Sequence, residues 1–127
     1  MTTITERQTA IDDFLERAAK AMFPKSRETL IDVRTRNAEG DTALHLAALW
    51  GDEEAVKQLL MSGAFVDERG AAGRSALYYA VLKGHAAVAE RLLAAGADPD
   101  LCMDLGMSPR VVAHQLRDER LIRLMEP

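Results

Sequence analysis

The chain repeats itself every 33 residues. Gly40, Gly73 and Gly106 fall in register, as do Thr42, Ser75 and Ser108, and Ala47, Ala80 and Ala113. Between the first two copies the register extends to Leu44/Leu77, Gly51/Gly84, Leu59/Leu92, Leu60/Leu93, Gly63/Gly96 and Asp67/Asp100. A unit this short cannot bury its own apolar side, so it must stack against copies of itself in a row. Such a row presents a wall rather than a closed cavity. The pattern therefore points to binding, not chemistry.

Within a copy, each residue type marks a boundary. Thr42 is a candidate N-cap for a short helix from Ala43 to Trp50, and Gly51 stands where a left-handed C-cap favours glycine. Asp52, Glu53 and Glu54 open a second helix, with negative charge at the positive end of its dipole. Val56, Leu59 and Leu60 give that helix one buried stripe. The second copy reads the same way, with Ser75 as cap and Val88, Leu92 and Leu93 as stripe. In the third, Ser108 is the cap and Pro109 occupies the first helical position, where its missing N–H costs nothing. A last helix starts near Asp118 and is expected to bury Leu121, Ile122 and Met125. Arg110 replaces Leu44 and Leu77, which suits a terminal unit with no neighbour beyond it.

The segments GDTALHLAALWGD with LLMSGAFVD, and GRSALYYAVLKGH with LLAAGADPD, resemble the ankyrin repeat. The resemblance implies an all-α solenoid of stacked helix-turn-helix units with extended turn tips between them. It divides a single domain, 1–127, into an N-terminal helical cap or degenerate repeat (1–36), repeats at 37–69 and 70–102, and a C-terminal capping repeat (103–127). His45 resembles the family's structural histidine. Tyr78 replaces that histidine in the next copy, while Gly70 and Met103 replace the usual turn aspartate, and both departures are expected to relax local rigidity. In the leading segment, Ile11, Phe14, Leu15, Ala18 and Met22 share one helix face. Thr5 and Gln8 form a candidate capping box, with Thr9 competing for the cap. Pro24 ends this helix, and a second short one is expected from Arg27 to Leu30. A shift of 33 residues sets Ile11 under Leu44.

Composition narrows the function. The formal charge of −4 argues against a nucleic-acid partner. The charge is uneven: residues 37–69 carry a net −5. Cys102 is the only cysteine, the N-terminus lacks an unbroken apolar leader, and no apolar run reaches the ~20 residues of a membrane span. A soluble cytoplasmic protein without membrane association is expected. His45, His85, His114 and Cys102 have no metal-ligand or nucleophile–base spacing, so neither an enzyme nor a metal or cofactor site is expected. Gly70-Ala-Ala-Gly73 lacks the Lys-Ser/Thr of a phosphate loop and reads as an inter-repeat turn. Arg117, Arg120 and Arg123, interleaved with Asp118 and Glu119, read as a solvated end face.

Ankyrin proteins bind other proteins through a concave face made of the turn tips and the outer side of each first helix. Carried onto this chain, the resemblance selects Glu39 and Asp41, then Arg74, then Leu105 and Met107 at the tips, with Arg36 and Arg69 preceding them. On the helices it selects Leu49 and Trp50, Leu82 and Lys83, and Gln115 and Leu116. Leu49, Trp50, Leu82, Leu105 and Met107 would form an apolar strip with a charged rim. Two readings of Trp50 stand side by side, a binding hot spot and scaffold packing. The expected partner is another protein, with the chain monomeric when alone. Self-assembly through the end faces is the alternative.

Overall fold

A computed structural model describes residues 4–25 and 31–126, with side chains from Ala10 onward. Seven α-helices occur among the described residues: α1 (Ile4–Met22), α2 (Ala43–Trp50), α3 (Glu53–Met61), α4 (Ala76–Leu82), α5 (Ala86–Ala94), α6 (Pro109–Leu116) and α7 (Glu119–Leu124). The segment expected to be helical from Arg27 to Leu30 lies outside the described residues.

Helices of six to nine residues have little stability alone. Four of them, α3, α4, α6 and α7, are fixed at their start by a side-chain acceptor. Ser75 Oγ and Ser108 Oγ accept from the N–H groups of Tyr78 and Val111, at 3.1 and 3.2 Å. Asp52 and Asp118 do the same for Ala55 and Leu121. The helices pair as α2–α3, α4–α5 and α6–α7, and the pairs stack into two rows, α2–α4–α6 and α3–α5–α7. Ala47, Ala80 and Ala113 are fully buried at the seam of the first row, where only a methyl group fits between approaching helices. In the second row Val56, Leu59, Val88, Leu92, Leu121 and Met125 are buried. Leu60, Leu93 and Ile122 are only half-buried, so the buried stripe is narrower than their spacing suggests.

Helix α1 departs from the 33-residue register. It packs mainly on α3 and less on α2, and so heads the second row instead of standing over α2. Ile11, Phe14, Ala18, Ala19 and Met22 are its buried face, with Leu15 half-buried. The helix begins at Ile4, which places Thr5 and Thr9 inside it and not at its cap. Arg17 fastens it to the turn between α2 and α3 by an ion pair with Asp52 at 3.1 Å.

The opposite end is closed by Arg110. Its guanidinium turns back to Asp100 (Nε to Oδ1, 2.8 Å) and donates to the Met125 carbonyl, covering ground that a next repeat would otherwise cover.

Three in-register residues close the first helices in the left-handed conformation: Gly51 (φ 72°), Gly84 (φ 73°) and Arg117 (φ 55°). Glycine adopts this without strain, whereas arginine must accommodate its Cβ. Arg117→Gly is therefore expected to raise stability by roughly 1 kcal/mol, read as a higher urea midpoint at unchanged slope. Leu92→Ala, emptying a fully buried site, is expected to lower it by about 2–5 kcal/mol. A wild-type midpoint for Leu92→Ala would contradict the packing described.

Candidate functional site

The turn tips lie at the starts of the first helices, and adjacent units are tied together there by polar contacts. Arg36 Nη1 donates to the carbonyls of Gly40 (2.6 Å) and Arg69 (2.7 Å), and Nη2 pairs with Glu68. Asp41 Oδ1 accepts the Ala71 N–H at 2.8 Å, and the Tyr79 hydroxyl lies within 3.2 Å of both its carboxylate oxygens. Burial, followed by the nearby Asp41 charge, raises the Tyr79 pKa. Two of the selected residues are thus committed to the scaffold. Both contacts bridge about 30 residues of sequence, a link that the repeat pattern alone does not display.

His45 completes this junction. Its Nδ1 accepts the Thr42 N–H at 2.9 Å and its Nε2 lies 2.8 Å from the Glu68 carbonyl. These partners select the neutral tautomer carrying its proton on Nε2. Burial, opposed by the Asp41 charge and aided by Arg36, lowers the His45 pKa from 6.5 to about 4. Gly70 fits against this pair: a Cβ there would stand 2.2 Å from Asp41 Oδ1 and 2.9 Å from His45 Nε2. The glycine thus admits the close approach and does not loosen the turn. Met103, at the same position one unit later, is buried and its N–H donates to the Met107 carbonyl at 2.9 Å. Tyr78, where a second histidine was expected, is buried edge-on to Tyr79, with ring centroids 6.4 Å apart.

The other selected residues are differently placed. Glu39, Arg69, Lys83 and Gln115 are exposed, while Leu49 and Met107 are half-buried. Leu82 is 40% exposed and Leu105 84%. Trp50 keeps 39% of its surface, but its ring meets Phe14 of α1 edge-on at 5.8 Å. Arg74 is half-buried with its guanidinium over Tyr78 and Tyr79, 5.9 and 6.0 Å from their centroids.

Sequence reasoning passed over three exposed apolar residues, Met61, Phe65 and Val111, while Leu116, which it selected, is 51% exposed. Val111 follows His45 and Tyr78 in register and, unlike them, is exposed. Phe65 replaces the aspartate that the second copy has at Asp98, and that mismatch was a readable signal. With Arg34 5.0 Å over its ring, Phe65 borders a shallow pocket of about 250 Å³ that also touches Val33, Arg36, Thr42, Ala64 and Glu68.

Of the residues with ligand or nucleophile chemistry, His85 faces the Leu49 carbonyl at 3.1 Å, and Cys102 and His114 are exposed. No group of three His, Cys, Asp or Glu residues suited to a metal ion occurs among the described residues. No helix among them is long and apolar enough to cross a membrane.

Two rows of short helices with tied tips along one edge define a helical repeat protein. The chain belongs to the ankyrin-repeat family, whose model for ankyrin repeats in three copies matches residues 15–102. No curated protein matches the chain. Ankyrin repeats are generally protein–protein interaction modules and typically non-enzymatic.

The His45 geometry has a pH signature. Because its folded pKa lies below its ordinary value, the stabilisation is complete above pH ~6.5 and is lost as pH falls towards about 4. The full shift corresponds to about 3 kcal/mol. Urea midpoints measured from pH 7 to pH 4 are expected to fall more steeply for the wild type than for His45→Gln, which starts less stable. Parallel profiles would contradict the bridging role.

Proposed function

We propose that this protein is a non-enzymatic binder of another protein, engaging it through the concave face and the turn tips, as an inhibitor, an immunity protein or an adaptor of an enzyme. The observation that carries the reading is the exposure of Leu82 and Leu105 on the tips and first helices. Lys83 follows Leu82 directly in the chain, and Glu39 and Arg69, at and before the tips, are charged and exposed. Apolar centres with polar margins are the usual composition of such interfaces. Arg36 and Asp41 serve it indirectly, by holding the tips that a partner would meet. A fixed surface loses less conformational freedom on binding than a loose one.

The test compares wild type with Leu82→Glu/Leu105→Glu, two surface changes expected to leave the melting temperature nearly unchanged. Affinity purification from the native cells, followed by mass spectrometry, is expected to recover a partner with the wild type that the double variant loses. A partner retained equally by both would remove the face from consideration. A chain that instead pulls down only itself, and sediments as an oligomer at micromolar concentration, would favour end-face self-assembly.

A further inference from the structure

Resting on the concave-face reading and going beyond it, we propose that Arg74 is the anchor for an acidic side chain, Asp or Glu, of the partner protein. Arg74 occupies the tip position that Asp41 holds in the preceding unit and Met107 in the following one. Its guanidinium rests against the rings of Tyr78 and Tyr79. Its Nε is buried and has no hydrogen-bond partner. No ion pair among the described residues involves it, in contrast to Arg17, Arg36, Arg91 and Arg110.

Two carboxylates of the neighbouring tips make no ion pair with Arg74. Asp41 takes the Ala71 N–H and the Tyr79 hydroxyl. Asp104 lies over the backbone of Gly73, with Oδ1 at 2.3 Å from where a Cβ would stand. A planar cation held against aromatic rings, and engaged in no ion pair among the described residues, is a preformed fork for a carboxylate. The tyrosines limit the guanidinium's freedom beforehand, so less ordering remains to be done on binding. The half-buried Met107 supplies an apolar neighbour on the next tip.

A displayed library of random linear peptides, panned against the full chain, provides the probe. Individual selected peptides are then measured by fluorescence polarisation on wild type, Arg74→Gln and Arg74→Lys, with each variant's thermal midpoint recorded. The expected result is a shared Asp or Glu at one peptide position. Its replacement by Asn or Gln should weaken binding about tenfold on wild type and scarcely at all on Arg74→Gln. Arg74→Lys, which keeps the charge but not the fork, should recover only part of the affinity. Peptides with no shared acidic position, an acid-to-amide cost equal on wild type and Arg74→Gln, or no selectable binder would each overturn the proposal. The Leu82→Glu/Leu105→Glu variant separates the two claims. Peptides that bind it as wild type yet depend on Arg74 would sink the broader face and leave the anchor.

Discussion

The stacking of units that cannot stand alone is the constraint from which the rest of this structure follows. Helices of six to nine residues recover little of their ordering entropy by themselves. Their stability comes from burial between neighbours, and burial at that seam demands small side chains. Ala47, Ala80 and Ala113 meet the demand in the first row, and the leucines and valines of α3, α5 and α7 fill the second. At one end α1 lays its apolar face on α3, and at the other Arg110 folds onto Asp100 and the Met125 carbonyl.

The same constraint explains why so many polar groups point along the array. His45 reaches the Glu68 carbonyl, His85 reaches Leu49, Asp41 takes Ala71, and Asp104 N–H donates to Ala72. Each contact satisfies a loop group that would otherwise meet a neighbouring unit unpaired. The two internal units solve one position differently. His45 does so with two hydrogen bonds, while Tyr78 does so by ring packing under Arg74. Gly70 belongs to the first solution, since only a residue without Cβ leaves room for Asp41 and His45 together.

What was legible in the sequence follows from what is local. Caps, glycine stops and leucine stripes act within a few residues, so the helices from Ala43 onward were readable almost to their ends. The placement of α1 was not. A shift by 33 assumes equal connections, but twenty residues separate α1 from α2 and only fourteen separate α3 from α4. That longer connection lets α1 slide into the second row while its amphipathic pattern stays the same. Exposure at the tips was partly legible for a similar reason. Repeat position marks Arg36 and Asp41 as outward-facing, yet whether an outward side chain is free depends on the next unit. Arg36 and Asp41 are spent on that unit, whereas Leu82 and Leu105 are not.

That division bears on how the face can discriminate. Residues committed to inter-unit contacts set the spacing of the tips and supply shape, while the uncommitted ones supply chemistry. Trp50 belongs to both groups, because one edge of its ring meets Phe14 while over a third of its surface remains exposed. Phe14 in turn carries the Arg17 guanidinium, and Arg17 pairs with Asp52, the N-cap of α3. A ligand that pressed on Trp50 would therefore act on α1 through direct contacts, without any intermediate rearrangement. The N-terminal helix thereby borders the proposed face, and displacing α1 would uncover the edge of Trp50 that Phe14 meets.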